Sequence, residues 1–232
     1  MEQVDQKVRV IIPAFNEENA VGKVIREIPK EWVDEVIVVD NNSSDSTISR
    51  AKQAGATVLQ ESFQGYGAAC LKGLSYLQKI EAKTDIVVFI DADYSDYPEQ
   101  LPSLIKPILQ DGFDLVIGSR ALGARQKGSM TIPQVFGNWL ATTLIRLFFN
   151  YRFTDLGPFR VIRWSRLQEI NMQDRTYGWT VEMQVKALKH GLKCTEVPVD
   201  YRNRVGVSKI SGTIKGTLLA GYKIITTIFK FL

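Results

Sequence analysis

Between residues 8 and 120, short apolar runs alternate with stretches of helical periodicity, and this alternation constrains the fold of the 232-residue chain more than any other feature. Residues 8–12, 36–39, 86–90 and 115–117 read as strands buried on both faces, with a weaker strand at 57–59. Between the first two, Asn16 is placed to cap a helix whose inner face is Val21, Val24, Ile25 and Ile28 and which Pro29 ends. Ser44 or Ser46 is placed to cap a second helix ending at Gly55, and residues 67–80 and 98–109 supply two more. Strand, helix, strand repeated in this way predicts an α/β fold with a mostly parallel central sheet flanked by helices.

After residue 120 the regularity fades. Residues 121–134 are polar and basic, residues 135–149 read as an apolar-rich helix, and a strand near 159–162, a helix at 180–189 and a strand near 194–201 follow. No internal repeat or linker divides the chain, so one domain over residues 1–213 is expected, with an irregular second half. Residues 214–232 carry apolar side chains at helical spacing, but Lys215, Lys223 and Lys230 argue against a membrane span. An amphipathic helix is the expectation there, either packed on the domain or, the favoured reading, lying at a membrane surface.

Composition removes several functional classes. Cys70 and Cys194 stand far apart and the single histidine, His190, sits at a predicted helix end, which disfavours disulfide scaffolds, zinc sites and Ser-His-Asp chemistry. A net charge of +4 is too small and scattered to point to nucleic acid. The first residues lack a basic start followed by an apolar stretch, so a cytoplasmic chain is expected.

Sheets of this kind bind ligands beyond the carboxyl ends of their strands. Asn16 and Glu17 follow the first strand, Asp40 ends the second, Asp91 and Asp93 end the fourth, and Ser119 and Arg120 end the fifth. An Asp-x-Asp on an extended segment puts both carboxylates on one side, with Ala92 facing away. Their repulsion calls for a cation, and Mg2+ or Mn2+ held by one or two carboxylates would hold a diphosphate as well. Arg120, Arg204 and Lys209 are candidates for stabilising charge on such a diphosphate.

Taken in order, VIIPAFNEENAVGKVI (residues 10–25), VIVVDNNSSDST (36–47), VVFIDADYSDYPE (87–99) and VIGSR (116–120) resemble the family 2 glycosyltransferases. TDLGPFRVI (154–162), YGWTVEMQVKAL (177–188) and RVGVSKISGT (204–213) are similar to the branch that holds dolichol-phosphate mannosyltransferase and the bacterial polyprenyl-phosphate glycosyltransferases. The resemblance implies a GT-A, Rossmann-like fold and an inverting, metal-dependent transfer of a hexose from a UDP- or GDP-linked donor to polyprenyl or dolichyl phosphate. It also implies that Pro13, Ala14 and Glu17 line the nucleoside, that Asp40 contacts the base, and that Asp91, Ala92 and Asp93 form the donor and metal stretch. Asp93 would ligate the metal, with Asp91 near the ribose or metal. The segment holding Arg204, Ser208 and Lys209 would close over the phosphates.

Three positions depart from the family pattern. Asn41 follows Asp40 where many relatives have a second acid, the glycine stretch QGYG lacks a basic residue, and Ser95 stands where that branch has a metal-holding Gln, which leaves Asp96 or water to complete the metal's shell. A phosphate acceptor is mostly ionised at neutral pH and needs no base, whereas a hydroxyl acceptor benefits from one. Asp155, then Glu182, are the candidates for that base. Acceptance by a soluble hydroxyl or phosphorylated compound, a sugar nucleotidyltransferase and a non-catalytic nucleotide-sugar-binding protein are the alternatives.

Overall fold

The computed structural model describes residues 6–206 and 214–232. Seven strands form one sheet: β1 (Val8–Ala14), β2 (Glu35–Asp40), β3 (Thr57–Gln60), β4 (Ile86–Phe89), β5 (Leu115–Ser119), β6 (Arg160–Arg163) and β7 (Cys194–Pro198), in spatial order β3-β2-β1-β4-β6-β5-β7. Six strands share one direction. β6 alone runs antiparallel, inserted between β4 and β5. The sheet is therefore mostly parallel, as expected, and its one reversed strand is the element that the periodicity could not orient.

The helices are α1 (Val21–Glu27), α2 (Thr47–Gln53), α3 (Tyr66–Leu77), α4 (Leu101–Gln110), α5 (Ile132–Phe149), α6 (Trp164–Ile170), α7 (Trp179–Lys189) and α8 (Ile214–Lys230). Strand side chains alternate between the two faces, which produces two cores. Ile11, Ile37, Val87, Phe89 and Ile117 pack with α3, α5 and α7 on one side, while Val10, Ile12, Val38, Val88 and Val116 pack with α1 and α4 on the other. α8 is seated on the first of these layers: Ile228 is fully buried, Lys223 pairs with Asp174 at 2.9 Å, and Lys189 donates to the carbonyl of Phe231. The last helix thus takes part in the domain's packing.

Two helix starts differ from expectation. Asn16 adopts a left-handed φ of 53°, its Oδ1 accepts from the Ser44 amide at 2.8 Å, and α1 begins only at Val21. No side-chain cap closes α2 from Ser46; Asp45 Oδ1 instead accepts from the Thr47 amide at 2.9 Å. Asn16 and Asp45 thereby tie the loop after β1 to the loop after β2.

Candidate functional site at the carboxyl rim of the sheet

Because six strands point the same way, the ends of β1, β2, β4 and β5 lie along one rim. The reversed β6 begins at that rim, so the loop leading into it reaches the same place. Pro13 and Ala14 close β1, and the Glu17 amide donates to Thr47 Oγ1 at 2.7 Å, fixing the turn that follows. Asp40 is buried at the end of β2; its Oδ2 accepts from the Ser43 amide, while its Oδ1 has no partner among the described residues. Asn41 is spent on folding. Its amide donates to the carbonyls of Glu61 and Phe63 and accepts from the Gly65 amide at 2.7 Å, which pins the loop ahead of α3.

The glycines of QGYG have a packing reason. A Cβ on Gly67 would sit 2.0 Å from the carbonyl oxygen of Asp174, and one on Gly65 would sit 2.1 Å from that of Arg175. The close approach lets the amides of Gly67 and Ala68 donate to Thr176 and Arg175, satisfying the start of α3 with backbone. It also carries the Tyr66 hydroxyl to the neighbourhood of Asp91. Burial and the charge of Asp91 push that phenol well above its ordinary value.

Beyond β4 three carboxylates crowd together. Asp93 Oδ1 accepts from the amide and the hydroxyl of Ser95, and its Oδ2 accepts from Arg204 Nη2. Ser95 therefore orients Asp93. Asp91 is half-buried with Oδ1 unpartnered, and burial together with the charge on Asp93 pushes its carboxyl up to about 7. Asp96, also buried, has neither oxygen partnered among the described residues, and burial followed by the charges of Asp91 and Asp93 raises it well above the usual range. Tyr94 between them has a φ of 65°, rare for a bulky residue. It is clamped in place: the guanidinium of Arg202 lies 3.4 Å from its ring centroid, and its hydroxyl donates to Glu27.

Across the rim, Arg120 and Asp155 form a buried bidentate pair, Nε to Oδ2 and Nη2 to Oδ1, each at 2.7 Å, with the Arg120 amide donating to Oδ2 at 2.8 Å. The guanidinium also lies 5.1 Å from the ring of Tyr201. Glu196 anchors the backbone of Thr154 and Asp155, and Gln184 donates to the carbonyl of Asp155. Asp155 thus holds Arg120 rather than standing free to take a proton. Glu182, expected as an acceptor-side acid, is committed elsewhere: it accepts from the amides of Gln173 and Asp174 and pairs with Lys186 at 2.8 Å. Its place in the first turn of a buried helix explains it better.

Arg204 reaches Asp93, and the Val205 amide donates to the Asp93 carbonyl at 2.9 Å. Burial lowers the affinity of Arg204 for its proton, and the charges of Asp93, Tyr201, Asp91 and Glu17 more than reverse this. Ser208 and Lys209 lie outside the described residues. The sequence reading gave no site role to Tyr94 or Tyr201 and placed Asp96 only as a spare ligand. A bulky residue directly after an Asp-x-Asp was the signal available for Tyr94.

Unpartnered oxygens on adjacent carboxylates suit a hard cation. No group of three or more acidic, His or Cys side chains among the described residues is arranged to enclose a metal. A cation held by one or two carboxylates and a ligand's phosphates requires no such cage, so Asp93 and Asp91 fit it.

The family model for glycosyl transferase family 2 matches residues 9–170. A glycosyltransferase of Mycobacterium tuberculosis described as uncharacterized is 35% identical over 92% of this chain and 94% of its own. The undecaprenyl-phosphate mannosyltransferase of Micrococcus luteus is 29% identical over 90% of each. Among solved structures, glucosyl-3-phosphoglycerate synthase from Mycobacterium tuberculosis, in complex with Mn2+, UDP and phosphoglyceric acid, superposes with a TM-score of 0.76 at 22% identity, covering 99% of this chain and 79% of that one. That likeness is one of fold.

Proposed function

Because the chain belongs to glycosyltransferase family 2, we propose that this transferase moves a hexose, with inversion, from a UDP- or GDP-linked donor to a polyprenyl or dolichyl phosphate. The observation that carries the reading is the rim itself. Asp91 and Asp96 keep unpartnered oxygens beside Asp93, which holds the cationic arm of Arg204, and a second buried cation is held rigidly by Asp155. The undecaprenyl-phosphate mannosyltransferase relative supports the acceptor class, and the Mn2+- and UDP-bound fold neighbour is in keeping with the donor and metal.

In this reading Pro13, Ala14 and Glu17 line the nucleoside, and the free oxygen of Asp40 accepts from the base. Asp91 and Ala92 sit beside the ribose and sugar. Mg2+ or Mn2+ on Asp93, with Asp91, would neutralise charge on the departing nucleoside diphosphate. Arg204 then leaves Asp93 for the phosphates, together with Ser208 and Lys209. The acceptor's phosphate oxygen forms the bond to the anomeric carbon from the face opposite the leaving group, whose bond electrons depart with the diphosphate. A phosphate monoester is already ionised at neutral pH, so the reaction runs without a base, as the commitment of Asp155 to Arg120 allows. Residues 1–213 make the catalytic domain, and the protein works at the cytoplasmic face of a membrane; no helix among the described residues is long and apolar enough to cross one.

Calorimetric titration with UDP-glucose and with GDP-mannose, each with and without Mn2+, tests the donor side. Metal-dependent binding of one of them, followed by release of UDP or GDP on adding polyprenyl phosphate, is the expected result. No binding of either at millimolar concentration removes the reading.

A further inference from the structure

Two cavities meet at Met130, Val135 and Trp139. One, of about 360 Å3, is lined by Arg125, Arg146 and Arg152 and floored by Asn138, Thr154 and Asp155. The other, of about 450 Å3, is walled by Met130, Ile132, Val135, Phe136 and Trp139, and it shares Met130, Val135 and Trp139 with the first. They form one trough, charged at the end near Asp155 and apolar at the other.

The charged end is unbalanced. Its three arginines come from three segments, the loop after β5, α5 and the loop after α5, and none has an acidic partner among the described residues. Asp155 is the one acid in the lining, and Arg120 already neutralises it. The floor is rigid, because Asn138 donates to the Thr154 carbonyl at 2.9 Å and accepts from the Leu156 amide at 2.8 Å, locking α5 to the loop that carries Asp155. At the apolar end Ile132 is 85% exposed and Phe136 and Trp139 are each 58% exposed, with their rings 5.7 Å apart. Large side chains bare to this extent on a built face mark a binding surface.

We propose that this trough is the acceptor subsite and that its occupant is an amphiphilic phosphate monoester: Arg125, Arg146 and Arg152 take the phosphate, and Trp139, Phe136 and Ile132 carry the first isoprene units of the tail. The inference rests on the function proposed above and adds the residues that choose the acceptor. Guanidinium groups converging from several sides match the oxygens of a phosphate dianion. Continuity with an apolar ledge selects a lipid phosphate over a soluble one, since a small phosphorylated acid would leave the ledge bare.

Calorimetry on the full chain, using farnesyl phosphate, farnesol and 3-phosphoglycerate as probes, tests it. The Arg146→Gln/Arg152→Gln variant should weaken farnesyl phosphate about tenfold or more, a loss of ~1.4 kcal/mol or more, and leave farnesol and Mn2+-dependent donor binding unchanged. Phe136→Ala/Trp139→Ala should weaken farnesyl phosphate and farnesol together; both pairs are surface residues, and an unchanged melting temperature verifies folding. Unaltered farnesyl phosphate affinity in the arginine variant overturns the subsite. Binding of 3-phosphoglycerate as tight as that of farnesyl phosphate overturns the lipid as its occupant. Failure of the functional reading itself shows separately, as absent nucleotide-sugar binding by the unsubstituted protein.

Discussion

Asp91, with its unpartnered oxygen and a proton affinity pushed up to about 7, destabilises the metal-free fold whenever it is ionised. The folded chain holds this proton more tightly than the unfolded chain does, so the penalty is absent below about pH 4, grows as pH rises, and is complete above about pH 7. Asp91→Asn should therefore raise the melting temperature of the metal-free protein at pH 8 by about 3 °C or more and leave it nearly unchanged at about pH 4. Differential scanning in chelator at both pH values checks the sign; an equal effect at both would refute it. Asp93→Asn should lower turnover about 100-fold or more, because the lost charge acts on the leaving group, while far-UV dichroism stays native. Asp155 behaves differently. Removing one partner of a buried pair costs about 3–5 kcal/mol, so Asp155→Asn should lower the melting temperature by about 10 °C, whereas a residue that served only as a base would leave it unmoved. Asp40, Asp91 and Asp93 were legible in the sequence because each ends a strand whose apolar run announces it. The Arg120–Asp155 pair was not, since its partners stand 35 residues apart and meet only through the sheet.

At the level of elements, the first half was legible for a simple reason: parallel strands buried on both faces leave continuous apolar runs, and β1, β2, β4 and β5 fall where those runs lie. β6 is four residues long with an arginine at each end, and its direction is set by pairing with β4 and β5, which no local pattern encodes. α6 was missed because WSRLQEI offers little more than a single apolar turn. α8 was legible as a helix while its attachment was left between two alternatives, because Ile228 and Lys223 look like any amphipathic pattern until α5, α7 and Asp174 receive them. Deleting residues 214–232 should accordingly lower the melting temperature by several degrees through exposure of the layer over α7; an unchanged melt would show that the helix is dispensable to the fold. Gly67→Ala is the matching probe of α3. Its Cβ would meet the Asp174 carbonyl, so the loop must move, and nucleotide-sugar affinity should fall with Tyr66 displaced from Asp91.

For the molecule as a whole, the reversed strand has a mechanical meaning. β4 delivers Asp91 and Asp93, β6 is its hydrogen-bonded neighbour and is entered through Asp155, and β5 on the other side of β6 delivers Arg120. In the proposed function, donor-side and acceptor-side groups are thereby mounted on three adjacent rods of a single plate, and their spacing is fixed when the protein folds. Such an enzyme can align its two reactants without swinging one lobe against another. If the trough around α5 is the acceptor subsite proposed above, a lineage can recut it for a new recipient while the rim proposed to grip the nucleotide stays in register.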